Sequence, residues 1–254
     1  MSLAARENVN TLVAVSAYAG DLHQVQQNLP VYLHHEAQLV ILSPKDAPIE
    51  RVDHPGVICM QAGLKGWIGQ HTLERQRLFL ELLLRFPQQY FLFNDADSFC
   101  LSPRVPKYCY DRPDILWSNE VLDTNPAPSK LPKLALQPPY FFSRKVVEAM
   151  LEGAKHPATS YFQGAEGFEN LPVPTQCIDH WMLQVISATT VEHKNFFTGA
   201  SFNTSLGGRV DPHGAAVMED LVKNHGRVLI HSVKDAGVLQ RLVAAHKEFV
   251  RTHS

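Results

Sequence analysis

The chain has 254 residues, of which 45% are hydrophobic and 19% are charged, which is typical of a soluble globular protein large enough for a sizeable core. Its formal net charge of −2 gives no basic surface that would indicate a nucleic-acid partner, and its apolar runs are too short to span a membrane. The N-terminus lacks a secretory signal pattern and the cysteines lack metal or redox spacing, so we expect a cytoplasmic protein with free thiols.

The first quarter of the chain alternates strands with a helix. Thr11–Tyr18 is an apolar, β-rich run that predicts a central strand, and Leu39–Leu42 and Val57–Met60 predict two more. Between the first two, Leu22–Leu33 has the apolar spacing of a short helix interrupted by Pro30. Because strands alternate with helices, we predict a mainly parallel sheet.

The segment from about Gln70 to Phe86 has the clearest helical pattern. Its apolar residues fall on one face, namely Leu78, Phe79, Leu82, Leu83 and Phe86. Arg75 lies on the same face one turn earlier, where a buried charge needs a partner. That partner could be a structural carboxylate, or a phosphate or ribose of a ligand, and the sequence leaves both alternatives open.

A short apolar run, Tyr90–Phe93, leads through Asn94 into two carboxylates one residue apart, Asp95 and Asp97. Such a run predicts a strand buried on both faces, whose carboxyl end lies where open α/β sheets bind ligands. Two carboxylates this close repel each other unless a cation lies between them, and their oxygens suit Mn²⁺ or Mg²⁺. Two solvated acids in a loop are the alternative for the bare tripeptide, but the preceding strand favours a metal site.

Beyond the acid pair, strands and long loops alternate. Ile115–Asn119 predicts a strand, Asn125–Pro139 a proline-rich loop, and Tyr140–Phe142 a short aromatic strand. Ser143 is predicted to cap the next helix. The irregular stretch at 156–175 has the composition of a lid or binding loop.

The last third contains two further candidates. Asp179 lies in the first turn of a predicted helix, where an acid complements the helix dipole whether or not it has another role. Arg227–His231 predicts a late strand that ends in His231, and Asp235 is predicted to cap the final helix.

The apolar strand that ends in Asp95-Ala96-Asp97 resembles that of the GT-A-fold glycosyltransferases, which use nucleotide sugars. The resemblance implies a GT-A-like α/β fold, with a mixed, mainly parallel sheet flanked by helices in one domain over residues 1–254. Residues of about 1–104 would form the donor-nucleotide half, and those of about 105–254 the acceptor half. It also implies sugar transfer from a nucleoside-diphosphate sugar, with a UDP-sugar as the expected donor, to a carbohydrate or other hydroxyl acceptor.

The resemblance also implies site roles. Asp97 would be the direct ligand of Mn²⁺ (or Mg²⁺), with Asp95 nearer the ribose or a metal-bound water, and His231 would complete the metal site. The implied donor-binding residues are Ala17, Tyr18, Asp46, Arg75, Asp95, Ala96 and Lys234.

Asp179 is similar to the catalytic base of inverting enzymes of this type. The chain has Ile178-Asp179 at this position, where a Glu-Asp pair is frequent. With this base we expect inversion, and without it a retaining mechanism stays open.

Two other functions are alternatives. Haloacid-dehalogenase-type phosphatases also place Asp-x-Asp after an apolar strand, but usually near the N-terminus, and here Ser98-Phe99 follows a pair at positions 95 and 97. A non-catalytic nucleotide-sugar-binding domain of the same fold is the second alternative, because a fold does not determine a function.

Overall fold

The computed structural model describes residues 10–33, 38–62, 72–96, 99–100, 105, 107–122, 134–153, 186, 189–195, 201–203, 212–224, 229–231 and 235–253. Within these residues the strands are β1 (Thr11–Ser16), β2 (Gln38–Pro44), β3 (Val57–Ala62), β4 (Tyr90–Asp95), β5 (Phe99–Cys100), β6 (Ile115–Leu122), β7 (Leu134–Ser143), β8 (Glu192–Asn195), β9 (Ser201–Asn203) and β10 (Leu229–His231).

Seven of these strands form the central sheet, in the order β3-β2-β1-β4-β7-β6-β8. Neighbours pair in parallel except around β7, which is antiparallel to both β4 and β6. A second sheet has the order β5-β10-β9. The prediction of a mixed, mainly parallel sheet flanked by helices is therefore confirmed.

The described helices are α1 (Leu22–Tyr32), α2 (Thr72–Leu83), α3 (Lys107–Tyr110), α4 (Arg144–Gly153), α5 (Pro212–Asn224) and α6 (Ala236–His253). Helices α2 and α4 bury their apolar residues against one face of the central sheet, which we call the α2 face. Helices α1 and α3 cover the opposite face, which we call the α1 face. Helix α6 packs on α1 and α5. No helix in the described part of the chain combines the length and apolar character needed to cross a membrane.

Two sequence predictions about proline are wrong. The strand β7 begins at Leu134, so the predicted loop to Pro139 is shorter than expected. The two prolines inside β7 lie where its register with β6 shifts, between Trp117 and Asn119, and such an irregularity removes the need for a regular ladder of N–H donors. Helix α1 likewise continues through Pro30 to Tyr32, so Pro30 removes one hydrogen bond near the end of the helix without ending it.

Both predicted helix caps are confirmed. The Ser143 side-chain oxygen accepts a hydrogen bond from the Val146 N–H at 3.2 Å at the start of α4. The Asp235 carboxylate accepts hydrogen bonds from the N–H groups of Gly237 at 2.8 Å and Val238 at 3.0 Å at the start of α6. These contacts satisfy N–H groups that have no partner inside the helix.

Arg144, the first residue of α4, fixes the connection between α2 and β4. Its guanidinium donates hydrogen bonds to three backbone carbonyls of that connection, those of Leu84 at 3.1 Å, Gln88 at 3.3 Å and Phe86. The guanidinium carbon also lies 5.8 Å from the centroid of the Phe91 ring at the start of β4. The end of α2 is thereby held beside the beginning of β4.

Substituting Arg144→Met should lower the free energy of unfolding by about 2–4 kcal/mol, because three carbonyls lose a charged donor. Arg144→Lys should recover little of this, since one ammonium group does not reproduce the planar guanidinium fork. Urea denaturation measures both, with the exposed neighbour Lys145→Met as the control. A loss below about 0.5 kcal/mol for Arg144→Met, the range of ordinary surface changes, would contradict this role.

Candidate functional site

The carboxyl ends of β1, β2 and β4 are joined by backbone hydrogen bonds. These run from the Ala96 N–H to the Ser16 carbonyl at 3.0 Å, from the Ala17 N–H to the Leu42 carbonyl at 3.0 Å, and from the Ala19 N–H to the Ala47 carbonyl at 2.9 Å. In the sheet order, β1 lies between β2 and β4, so the chain order reverses at this point. Open α/β sheets bind ligands at such a switch point.

Five of the predicted donor-binding residues lie at this edge. They are Ala17 and Tyr18 after β1, Asp46 after β2, and Asp95 and Ala96 at the end of β4. Ala17 and Ala96 are buried, Asp95 is half-buried, and Tyr18 and Asp46 are exposed. The edge therefore combines small buried residues with exposed polar and aromatic side chains.

Tyr18 presents an aromatic ring to solvent, with 39% of the residue surface exposed. Its backbone N–H donates to the Asp21 carboxylate at 3.2 Å, which holds the tight turn after β1. A Cβ atom on Gly20 would lie 2.6 Å from ring atom Cε2, so a larger residue there would displace the ring. An exposed aromatic ring at this edge is a side chain of the type that packs against a planar or sugar ring of a ligand.

Asp95 lies on the α2 face of the sheet, because its strand neighbours Phe91 and Phe93 contact that core and strand side chains alternate. In the register of β1 and β4 it stands opposite Ser16. A carboxylate at a strand end that faces a helix start is well placed to meet a cation or a basic side chain.

Helix α2 directs its first turn toward the same edge. Its end lies at the start of β4, and the Phe79 and Phe93 rings are 6.4 Å apart, so α2 runs antiparallel to β4. Arg75 precedes Phe79 by one turn and therefore occupies a backbone position near the carboxyl end of β4. The side chain of Arg75 lies outside the described residues, so its role stays a prediction.

Strand β10, which ends in the late histidine, pairs with β5, the strand that follows the acid pair in the chain. Ile230 pairs with Phe99 and Leu229 with Cys100 in an antiparallel ladder. Phe99 is the first residue of β5, and its partner Ile230 is followed by His231. Because the ladder is antiparallel, the backbone of His231 lies at the end of the ladder where the chain enters β5. Two segments about 130 residues apart along the chain are therefore adjacent in the fold.

Several predicted site residues lie outside the described residues. These are Asp97, Asp179 and Lys234, together with the side chains of Arg75 and His231. Ile186, from the helix predicted around Asp179, is described and is buried on the α2 face. Ile186 therefore packs on the same face of the sheet as Asp95.

Among the described side chains, no group of three His, Cys, Asp or Glu residues is arranged to hold a metal ion. Of the residues predicted to bind the metal, the structure describes the half-buried Asp95 carboxylate and the backbone of His231. Carboxylate oxygens with one imidazole nitrogen suit Mn²⁺, so the residue types predicted for this site fit such an ion.

A cluster of surface charges lies at the opposite edge of the sheet. Arg112 contacts Asp114 at 3.3 Å and Glu192 at 3.1 Å, just before β6 and on the edge strand β8. A hydrogen bond from Arg112 lowers the pKa of the Asp114 carboxyl. Charged side chains on an edge strand oppose pairing with other chains, and this is the role we assign to them.

One feature of the site is missing from the sequence predictions. The side-chain polar atoms of Ser16 and Asn94, at the ends of β1 and β4, are buried and have no hydrogen-bond partner among the described residues. The sequence did contain a signal, because Asn94 interrupts an apolar strand one residue before the acid pair.

No protein-family model matches the chain, and no curated protein matches it. A similar solved structure is the crystal structure of the galactosyltransferase LgtC in complex with donor and acceptor sugar analogs. The two share 9% sequence identity with a TM-score of 0.53, over 92% of this chain and 95% of that chain. The likeness shows that the chain has a glycosyltransferase-like α/β fold, as the sequence predicted.

Proposed function

We propose that this chain is a metal-dependent glycosyltransferase that moves a sugar from a nucleoside-diphosphate sugar to an acceptor hydroxyl. The observation that supports the proposal most directly is the pairing of β10 with β5, because β10 ends in His231 and β5 is the strand that follows the acid pair in the chain. The fold likeness to a galactosyltransferase bound to donor and acceptor sugar analogs supports it. A UDP-sugar is the proposed donor, and a carbohydrate or other hydroxyl compound the acceptor.

In this proposal Asp95, Asp97 and His231 hold Mn²⁺ (or Mg²⁺), with Asp97 as the direct carboxylate ligand. A bound divalent cation stabilises the negative charge that develops on the departing diphosphate. Tyr18 packs against a ring of the donor, while Arg75 and Lys234 supply positive charge to the phosphates and Asp46 contacts the nucleoside. Ala17 and Ala96 have small side chains, so their backbone can lie close to the donor.

Asp179 is the proposed general base. It removes the proton of the acceptor hydroxyl as that oxygen attacks the anomeric carbon and the bond to the nucleoside diphosphate breaks. Attack on the face opposite the leaving group inverts the anomeric configuration. If Asp179 has no such role, the retaining alternative takes its place.

The wild-type chain tests the proposed function directly. Mn²⁺ and UDP together should stabilise it far more than either alone, by about 2.7 kcal/mol at a hundredfold excess over the dissociation constant. Thermal unfolding with Mn²⁺, UDP, both, or both plus EDTA measures this. Absence of any joint stabilisation would reject the proposal.

Turnover separates the proposal from its alternatives. A chain that binds UDP with Mn²⁺ should also release UDP from a UDP-sugar when a suitable sugar acceptor is present, and a panel of acceptors tests this. Joint stabilisation without UDP release under any acceptor would favour a non-catalytic nucleotide-sugar-binding domain. Hydrolysis of p-nitrophenyl phosphate in place of UDP release would favour a phosphatase.

A further inference from the structure

Three fully buried side chains toward the carboxyl edge of the central sheet have no hydrogen-bond partner in the part of the chain that the structure describes, namely Ser16, Asn94 and Ser118. Unpartnered buried atoms also occur away from this edge, in α1 and at Gln88 and Trp117. Those of Ser16 and Asn94 lie at the strand ends where this class of sheet binds ligands.

Asn94 differs from the two serines because both atoms of its amide are without a partner among the described residues. A buried donor or acceptor with no partner is costly, and leucine, which has the same branched shape, would avoid that cost. Residues that lower the stability of the fold at their own position are expected at functional sites. The amide of Asn94 is therefore best explained by a hydrogen-bonding group from outside the chain.

The position of Asn94 indicates which part of a ligand it meets. Phe93 and Asp95 lie on the α2 face, so the alternation of β4 places the Asn94 side chain on the α1 face. The carboxylate of Asp95 and the neutral amide of Asn94 are thus on opposite sides of one strand. A diphosphate with its cation suits the carboxylate side, and a neutral group suits the amide side.

The α1 face also becomes less bulky toward the carboxyl edge. In the register of β1 with β4, Val13 stands opposite Leu92 and Val15 opposite Asn94. The next residues on that face are Ala17 and Ala96, which have only methyl side chains. Between the amide and the exposed ring of Tyr18, the side chains of this face are therefore small.

A primary amide carries one acceptor and a donor side by side, and this pattern matches the edge of a nucleobase. We propose that Asn94 is a specificity-determining residue that hydrogen-bonds to the base of the donor nucleotide. This inference rests on the proposed function. The Asn94 side chain is fully buried in the structure. Side chains at the edge must therefore change rotamer when the base binds, which is common at binding sites.

The experiment compares full-length wild type with Asn94→Leu by calorimetric titration of UDP, CDP, ADP and GDP in Mn²⁺. Wild type should prefer one base. In Asn94→Leu the affinity for that nucleotide should fall about 10- to 100-fold, the range for a two-bond contact between an amide and a base, and the preference among bases should shrink. The melting temperature of the free variant should stay equal to wild type or rise, because two unpartnered polar atoms are removed.

The matched control is Asn28→Leu. Asn28 is also buried with an unpartnered side-chain oxygen, but it lies in α1, and its nitrogen donates to the Tyr32 hydroxyl at 3.4 Å. This variant should bind all four nucleotides as wild type does. If Asn94→Leu does not fold, Asn94→Val removes the same polar atoms with a residue that suits a strand.

Three results would overturn the inference. Unchanged affinities in Asn94→Leu would mean that the amide holds a buried water molecule. An equal loss for every nucleotide would mean a general disturbance of the edge and no base recognition. If wild type binds no nucleotide at all, the proposed function fails and the role of Asn94 fails with it, whereas the first two results leave the proposed function intact.

Discussion

Replacing Asp97 by asparagine should abolish the joint stabilisation by Mn²⁺ and UDP and leave the fold of the free protein intact. In the sequence, Asp97 lies between β4 and β5, and β5 pairs with β10, the strand that ends in His231. A neutral amide oxygen is a weaker ligand for a hard divalent cation than a carboxylate, and it leaves the donor diphosphate less compensated. The wild-type gain of roughly 2.7 kcal/mol at a hundredfold excess of ligand should therefore be lost.

The control for this variant is Asp53→Asn. The Asp53 side chain is 94% exposed and contacts Arg51 at 3.1 Å, and a surface ion pair of this kind contributes little to stability. Thermal unfolding of Asp53→Asn should show the full joint gain. If Asp97→Asn keeps the same metal-dependent shift as wild type, the metal site has been assigned to the wrong residues.

The strands of the central sheet were predictable because they are buried on both faces. Leu12–Val15 and Phe91–Phe93 are continuous apolar runs. Such a run can be recognised as a buried strand from its own sequence, even when the strands that pair with it are unknown. Strand β7 was predicted only in part, since Pro138 and Pro139 are typical of loops and their tolerance depends on a register shift with β6. That shift is a property of the pairing and has no local signal.

The candidate site was predictable only as separate pieces. Asp95 and His231 each end an apolar segment, and sequence alone could place each of them at a strand end. That β10 lies beside β5, the strand that follows the acid pair, is a tertiary contact between distant segments, and the sequence alone does not show it. The unpartnered amide of Asn94 is likewise visible only when burial and hydrogen bonds are known.

Asp179→Asn should reduce sugar transfer by roughly 10²–10⁴-fold, the usual range for a positioned general base. A base that acts only as the acceptor attacks contributes to the transition state and little to donor binding, so UDP affinity should stay near wild type. Asparagine keeps the size and part of the hydrogen-bonding capacity of the side chain, and the stability loss should be about 1 kcal/mol or less. The product configuration, followed by NMR, should be opposite to that of the donor.

Asp235→Asn distinguishes a catalytic base from an acid that only begins a helix. Asp235 caps α6 through two backbone hydrogen bonds, and asparagine caps helices nearly as well as aspartate, so this variant should lose little stability and no transfer. If Asp179 has only the same structural role, the two variants should behave alike in both measurements. A large loss of transfer confined to Asp179→Asn, with unchanged UDP affinity and an inverted product, is the combination that a helix-start acid cannot produce. A retained configuration would instead remove the need for a base at this position and favour the retaining mechanism.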